Sequence, residues 1–184
     1  MISVRKYEKK DFDGVRFACL NSTGEEYDPI VSEFILRTYC DYYIEHEPEN
    51  CFVLDDDGKA VGYIICTENY DDYKEIFDKE YLPLIKPLGE ERYKWALEST
   101  ILQNKYKADY PAHMHIDILP AYHRHGFGGK LLTALFDHLR EKGIKGVMLT
   151  AGTENLNAGS FYKKYGFEQL EIYDTDVAFG MKLI

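Results

Sequence analysis

The stretch Ile116–Leu132, IDILPAYHRHGFGGKLL, changes period partway along. Its first residues alternate apolar and polar, as a strand does. Past Lys130 an apolar helical spacing takes over, with Leu131, Leu132, Leu135, Phe136 and Leu139 on one stripe. Gly126, Gly128 and Gly129 stand between the two. Glycine costs chain entropy, and a helix start does not need three of them. Their clustering implies that something approaches the main chain too closely for side chains. Free N–H groups at a helix N-terminus, with the helix dipole behind them, make an anion site, so the expected visitor is a phosphate or pyrophosphate. Two better-known phosphate loops do not fit. There is no GxxxxGK[ST], and the position three after Gly128 is Leu131.

Working outward, AHMHIDIL (112–119) reads as the strand before the glycines, and the helix after them runs to Lys142 and stops at Gly143. GVMLTAG (146–152) reads as a buried strand. A strand–helix–strand unit over 112–151 implies neighbouring parallel strands joined by a right-handed crossover. Upstream, ISVRKYE suits a first strand, Asp11 can cap a helix through Leu20, and a second helix is expected from Ser32 to before Pro48. CFVLDDDGKAVGYIICTE reads as a hairpin turning at Asp57-Gly58. Residues 70–110 are charged and tyrosine-rich, hold the lone Trp95, and read as a helical insertion broken at Pro87-Leu88-Gly89. About 40 residues make a poor independent core, so one domain over 1–184 is expected. A short helix over 156–165 and two strands, FEQLEIY and VAFGMKLI, close an α/β chain with a mixed sheet.

Composition narrows the function. The 184 residues are 45% hydrophobic and 29% charged, with a net charge of −10. That balance argues against nucleic acid as a partner, since phosphate neutralisation needs a basic patch. It mildly favours a neutral or cationic substrate. No apolar run approaches a membrane span, and the N-terminus lacks a signal-peptide core, so no membrane association and a cytoplasmic location are the expectations. The four cysteines show no CxxC spacing and read as buried thiols.

Aligned on its glycines, HRHGFGGKLL resembles the (Gln/Arg)-x-x-Gly-x-(Gly/Ala) signature of the GNAT superfamily of acetyl-CoA-dependent N-acyltransferases, with His123 departing from Gln/Arg. Downstream, NLNAGSFYKKYGF resembles that family's Asn-x-x-Ala-x-x-x-Tyr-x-x-x-Gly-Phe segment through Asn155, Ala158, Tyr162, Gly166 and Phe167. The two motifs stand in family order with one strand between them. YPAHMHIDILP and the segment before it are also similar to the acetyltransferase-like domains joined to O-GlcNAcase in some proteins, and to their free-standing relatives. Some of those are regarded as catalytically degenerate.

The resemblance implies a GNAT fold, a central mixed sheet whose parallel strands splay to admit acetyl-CoA, flanked by helices. It implies acetyl transfer to an amine by direct attack, the acceptor being a small molecule or a peptide or protein amine. The alternative is a degenerate acyl-CoA-binding or interaction module. Arg124, His125, Gly126, Phe127, Gly128, Gly129 and Lys130 would hold the pyrophosphate, with Asn155 also on the cofactor. The N–H of Ile118 or Leu119 would polarise the acetyl carbonyl. Tyr162 takes the general-acid position, since a phenol is protonated at neutral pH. Strand parity puts Asp117 and His115 on one polar face as candidate bases. His113, His115 and Asp117 also spell a metal-like pattern, but transfer of this kind needs no metal, and none is expected. The insertion is expected over the acceptor side of the cleft. Oligomeric state stays open, a homodimer among the options.

Overall fold

The computed structural model describes residues 1–154 and 156–184, and the side chains of all of these except 156–158. In chain order the elements are β1 (Ile2–Lys6), α1 (Phe12–Asn21), α2 (Pro29–Tyr39), α3 (Asp41–His46), β2 (Phe52–Asp56) and β3 (Lys59–Thr67). The insertion supplies α4 (Tyr70–Ile76), α5 (Leu82–Ile85), α6 (Glu90–Glu98) and α7 (Ile101–Tyr106). Then come β4 (Ala112–Ile118), α8 (Phe127–Glu141), β5 (Gly146–Gly152), α9 (Leu156–Lys164), β6 (Glu168–Tyr173) and β7 (Asp176–Lys182).

The seven strands form one sheet in the order β1-β2-β3-β4-β5-β7-β6. Every neighbouring pair is antiparallel except β4 and β5. That parallel pair is matched only at Ala112–Val147 and His113–Met148. Beyond these residues β4 and β5 part, and the sheet opens a cleft at their C-terminal ends. This is the splay expected of the fold.

Alternation along β4 sorts the two cores. Ala112 and Met114 face the apolar stripe of α8, where Leu131, Leu132, Leu135 and Leu139 are fully buried. Burying one leucine contributes roughly 1.5–3 kcal/mol, which fixes α8 firmly under the sheet. Phe161, Tyr162 and Tyr165 of α9 join the same cluster. On the opposite face lie α1 to α3 and the insertion. Tyr70, Tyr73, Phe77, Tyr81 and Ile85 of the insertion share one cluster with Val15, Phe34, Tyr43 and Tyr63. Six tyrosines are buried in that one cluster.

Three local expectations need correction. The second helix starts at Pro29, not Ser32: Asp28 accepts from the N–H groups of Ile30 and Val31 at 2.8 and 2.9 Å, and proline suits the first helical position. That helix breaks at Cys40, and α3 follows as a separate piece. Asp11 precedes α1 but makes no side-chain cap to it. Its carboxylate is held by Arg5 at 2.6 and 2.8 Å and by the Glu8 N–H at 2.9 Å. The hairpin turn is as read, with Asp57 and Gly58 at φ of 49° and 89°.

Candidate functional site

β4 keeps an unbroken register with β3, pairing Gly62 with Ile118, Tyr63 with Asp117 and Ile65 with His115. No bulge disturbs its parity. Asp117 therefore shares a face with Tyr63, whose hydroxyl donates to its carboxylate. His115 Nε2 lies 3.1 Å from the Tyr43 hydroxyl, and its ring meets Tyr39 edge-on at 5.6 Å. His113 is buried deeper, against Tyr73 at 4.6 Å, and its Nδ1 has no partner among the described residues.

Backbone directions follow from the same register. The Leu119 N–H donates to the Val61 carbonyl at 3.0 Å. In an antiparallel ladder alternate residues bond to the same neighbour. The N–H groups of Ile116 and Ile118 accordingly point away from β3, into the gap left where β5 diverges. Of the two residues expected to offer an amide, Leu119 has spent its own and Ile118 has not. His123, the departure from the family signature, folds back onto the strand: its Nε2 donates to the Ile118 carbonyl at 2.7 Å.

The glycines divide by cause. At Gly128 an added Cβ would stand 2.9 Å from the Phe161 ring, and at Gly129 it would overlap the Tyr165 hydroxyl. These two make room for α9, so close packing explains them without any ligand. Gly126 differs. It caps α8 in the left-handed region at φ 78°, and nothing lies within 4 Å of where its Cβ would be. Arg124 is also left-handed, at φ 63°. The loop so formed leaves the first amides of α8 facing outward, beside exposed Arg124, His125 and Lys130. Phe127 supports this rim, stacked on His125 at 5.9 Å and under the Lys130 ammonium at 5.5 Å. On a chain of net charge −10, this corner gathers exposed basic side chains around a helix N-terminus, an arrangement chemically suited to an anion.

Tyr162 packs its ring on Phe161, Phe167 and Phe179 at 5.3 to 5.6 Å. Burial pushes its phenol up, and the charge of Asp117 adds to this, so the two groups sense each other across the opened sheet. Burial also pushes Asp117 up to about 6, while the hydrogen bond from Tyr63 and the nearby Ser22 and His123 pull the other way. Burial pushes His115 down to about 4, so it is neutral at pH 7. Asn155, the remaining candidate, lies outside the described residues.

Tyr63, which donates to Asp117, and Ser22, which lies near enough to lower its proton affinity, were not singled out from sequence. Tyr63 could have been found, because Gly62-Tyr63 sits in a strand predicted to neighbour others. Ser22 is brought in from the end of α1 by tertiary packing alone. Among the described residues no group of three His, Cys, Asp or Glu is placed to hold a metal ion, and no helix is long and apolar enough to cross a membrane. The four cysteines carry free thiols, with Cys19 half-buried and the others buried.

Comparison with known proteins adds to this geometry. The profile of the Acetyltransferase (GNAT) family matches residues 18–167. An uncharacterized N-acetyltransferase of Methanocaldococcus jannaschii is 23% identical over 136 residues, which is 74% of this chain and 46% of that protein. The chain thus spans about half the length of that relative. Among solved structures, SsHAT superposes with a TM-score of 0.88 at 26% identity, covering 100% of this chain and 98% of that one. The PaiA N-acetyltransferase of Thermoplasma acidophilum, in complex with coenzyme A, gives 0.63 at 15% identity, covering 99% of each chain.

Proposed function

The chain belongs to the GNAT acetyltransferase family, and on that footing we propose that it transfers an acetyl group from acetyl-CoA to an amine by direct attack. The observation that carries this reading is the parting of β4 from β5 after His113, with the Ile118 amide, Asp117 and Tyr162 disposed about the gap. Acetyl-CoA would supply an activated thioester. The residues fit it: the first-turn amides of α8, with Arg124 and Lys130, suit a pyrophosphate, and the space at Gly126 is open.

Acyl transfer from a thioester to an amine needs a neutral nitrogen, a polarised carbonyl and a proton for the leaving sulfur. In our reading the Ile118 N–H donates to the carbonyl oxygen and stabilises its developing charge. Asp117, ionised above about pH 6, takes the proton that the amine loses. Tyr162, still a phenol at neutral pH, gives its proton to the departing thiolate. The net proton passes from nitrogen to sulfur, and exchange through water returns Asp117 and Tyr162 to their starting states. His115 is too weak a base for this work with its proton affinity depressed by burial.

The test pairs binding with turnover. Calorimetry with acetyl-CoA and a thiol-release screen over amines, amino acids and peptides should give binding and, for some acceptor, release. Tight acetyl-CoA binding with no release from any acceptor would favour the non-catalytic module instead.

A further inference from the structure

α2 and α6 face each other across a groove of about 460 Å³ that opens beside the cleft. Tyr27, Val31, Phe34 and Tyr39 form one wall, and Glu91 and Trp95 stand on the other. The volume is within the usual range for small-molecule pockets, roughly 300–1,000 Å³. Trp95 is the sole tryptophan, and it is 58% exposed. It is nevertheless held: its Nε1 donates to the Tyr39 hydroxyl at 2.9 Å. A large apolar ring fixed in place and left open to water can cover a ligand's apolar face with little further loss of side-chain freedom. Tyr39 also meets His115 of β4, so the groove runs up to the strand that carries Asp117.

Charge orients what could lie there. At the cleft end stand Asp117 and Asp176, the latter paired with Gly152 at the diverging end of β5. Asp176 raises the proton affinity of Tyr39, which places its charge beside the groove. The far wall offers Glu91, but its chain neighbour Arg92 lines the same groove and offsets it. The groove is therefore anionic at one end, aromatic along its length, and close to neutral at the other.

We propose that this groove takes the body of the acceptor, and that the acceptor is a primary amine carried on an aromatic or branched aliphatic body. The ammonium end is drawn toward Asp176 and Asp117, and the apolar body lies between Trp95 and the face of α2. A polyamine is disfavoured because its thin methylene chain buries little area between Trp95 and the face of α2, and because its second ammonium would have to shed water beside the Arg92 guanidinium, with Glu91 only cancelling that charge. This inference rests on the acetyl-transfer reading for the chemistry at the amine but not for the binding.

Trp95 reports on its own groove. Titrating phenethylamine into the free protein should change the tryptophan emission saturably, whereas putrescine and ethylamine at the same concentrations should not. In thiol-release assays at saturating acetyl-CoA, Trp95→Ala should raise KM for phenethylamine at least tenfold with kcat within a factor of three. Trp95→Phe should recover most of that loss, and KM for ethylamine should stay put. Asp176→Asn should raise KM for phenethylamine more at low salt than at high salt. If phenethylamine perturbs Trp95 but no amine releases thiol, the groove assignment stands and the acetyl-transfer reading falls. An emission blind to phenethylamine, or putrescine matching it in both assays, or a Trp95→Ala protein with unchanged KM, would overturn the groove assignment.

Discussion

The half of the cleft proposed for the cofactor, β4 through α9, and the half proposed for the acceptor, α2 with the insertion, are built by different means. In the first, the groups assigned a role are mostly main chain: the Ile118 amide, the opening turn of α8 and the left-handed Gly126. In the second, side chains from segments far apart in sequence meet, as when Trp95 of α6 donates to Tyr39 of α2. Main-chain sites force glycine and fix spacing, so they leave a local mark in sequence. Side-chain sites assembled by tertiary packing leave almost none. Substitutions at the centre should therefore abolish chemistry, while substitutions in the acceptor half should redirect it.

The largest effect is expected at Tyr162. Tyr162→Phe keeps the ring and its contacts with Phe161, Phe167 and Phe179. It removes the proton offered to the thiolate, a loss typically worth about 10²–10⁴ in rate. Stopped assays should show kcat falling by that amount while acetyl-CoA affinity and Tm barely move. A Tyr162→Phe enzyme with full kcat would reduce Tyr162 to a packing residue.

Asp117 comes next, and it separates rate from stability. Its folded-state proton affinity lies above the ordinary carboxylate value, so folding binds the proton. The burial cost of its charge is absent below about pH 3.8 and fully present above about 6, so stability from this group falls as pH rises between them. Asp117→Asn should flatten that dependence and leave Tm at pH 7 equal or higher. It should also lower kcat/KM by about 10² and abolish the acid limb expected of the wild type near pH 6. His115→Gln, by contrast, removes a group already neutral at pH 7 and should change the pH profile little. An acid limb that survives in Asp117→Asn and vanishes in His115→Gln would exchange their roles.

The legibility of the molecule follows the same division. The crossover over 112–151 could be read because period 2 gives way to period 3.6 at three glycines, and β4, α8 and β5 stand there. Of the three glycines, only Gly126 keeps open space where a ligand's approach could be the reason. Gly128 and Gly129 answer to Phe161 and Tyr165, some thirty residues on, which no local pattern announces. Asp11 misled because a carboxylate before a helix looks like a cap, and Arg5 outcompetes the helix for it. Ser22 stayed hidden because helix docking, not spacing, brings it near Asp117, whereas Tyr63 needed only the pairing of β3 with β4.

Gly129→Ala and Gly126→Ala are the same chemical change made for opposite reasons, and they give the smallest effects. At Gly129 the new methyl would overlap the Tyr165 hydroxyl, so α9 must shift. Overpacking of this kind costs about 1–3 kcal/mol, and Tyr165→Phe in the same chain should return part of it by removing the oxygen. Denaturant titration of the single and double variants measures both numbers. At Gly126 the methyl meets nothing of the chain, and only the left-handed backbone resists it, at about 1–2 kcal/mol. If that open space is where the ligand's phosphates lie, the methyl should also weaken CoA by about tenfold, as one misfit carbon commonly does. Gly129→Ala, once rescued by Tyr165→Phe, should then bind CoA nearly as the wild type does. Calorimetry on the folded variants decides it. Equal CoA affinity in wild type and Gly126→Ala would move the phosphate contacts off the loop start and onto the later amides of α8.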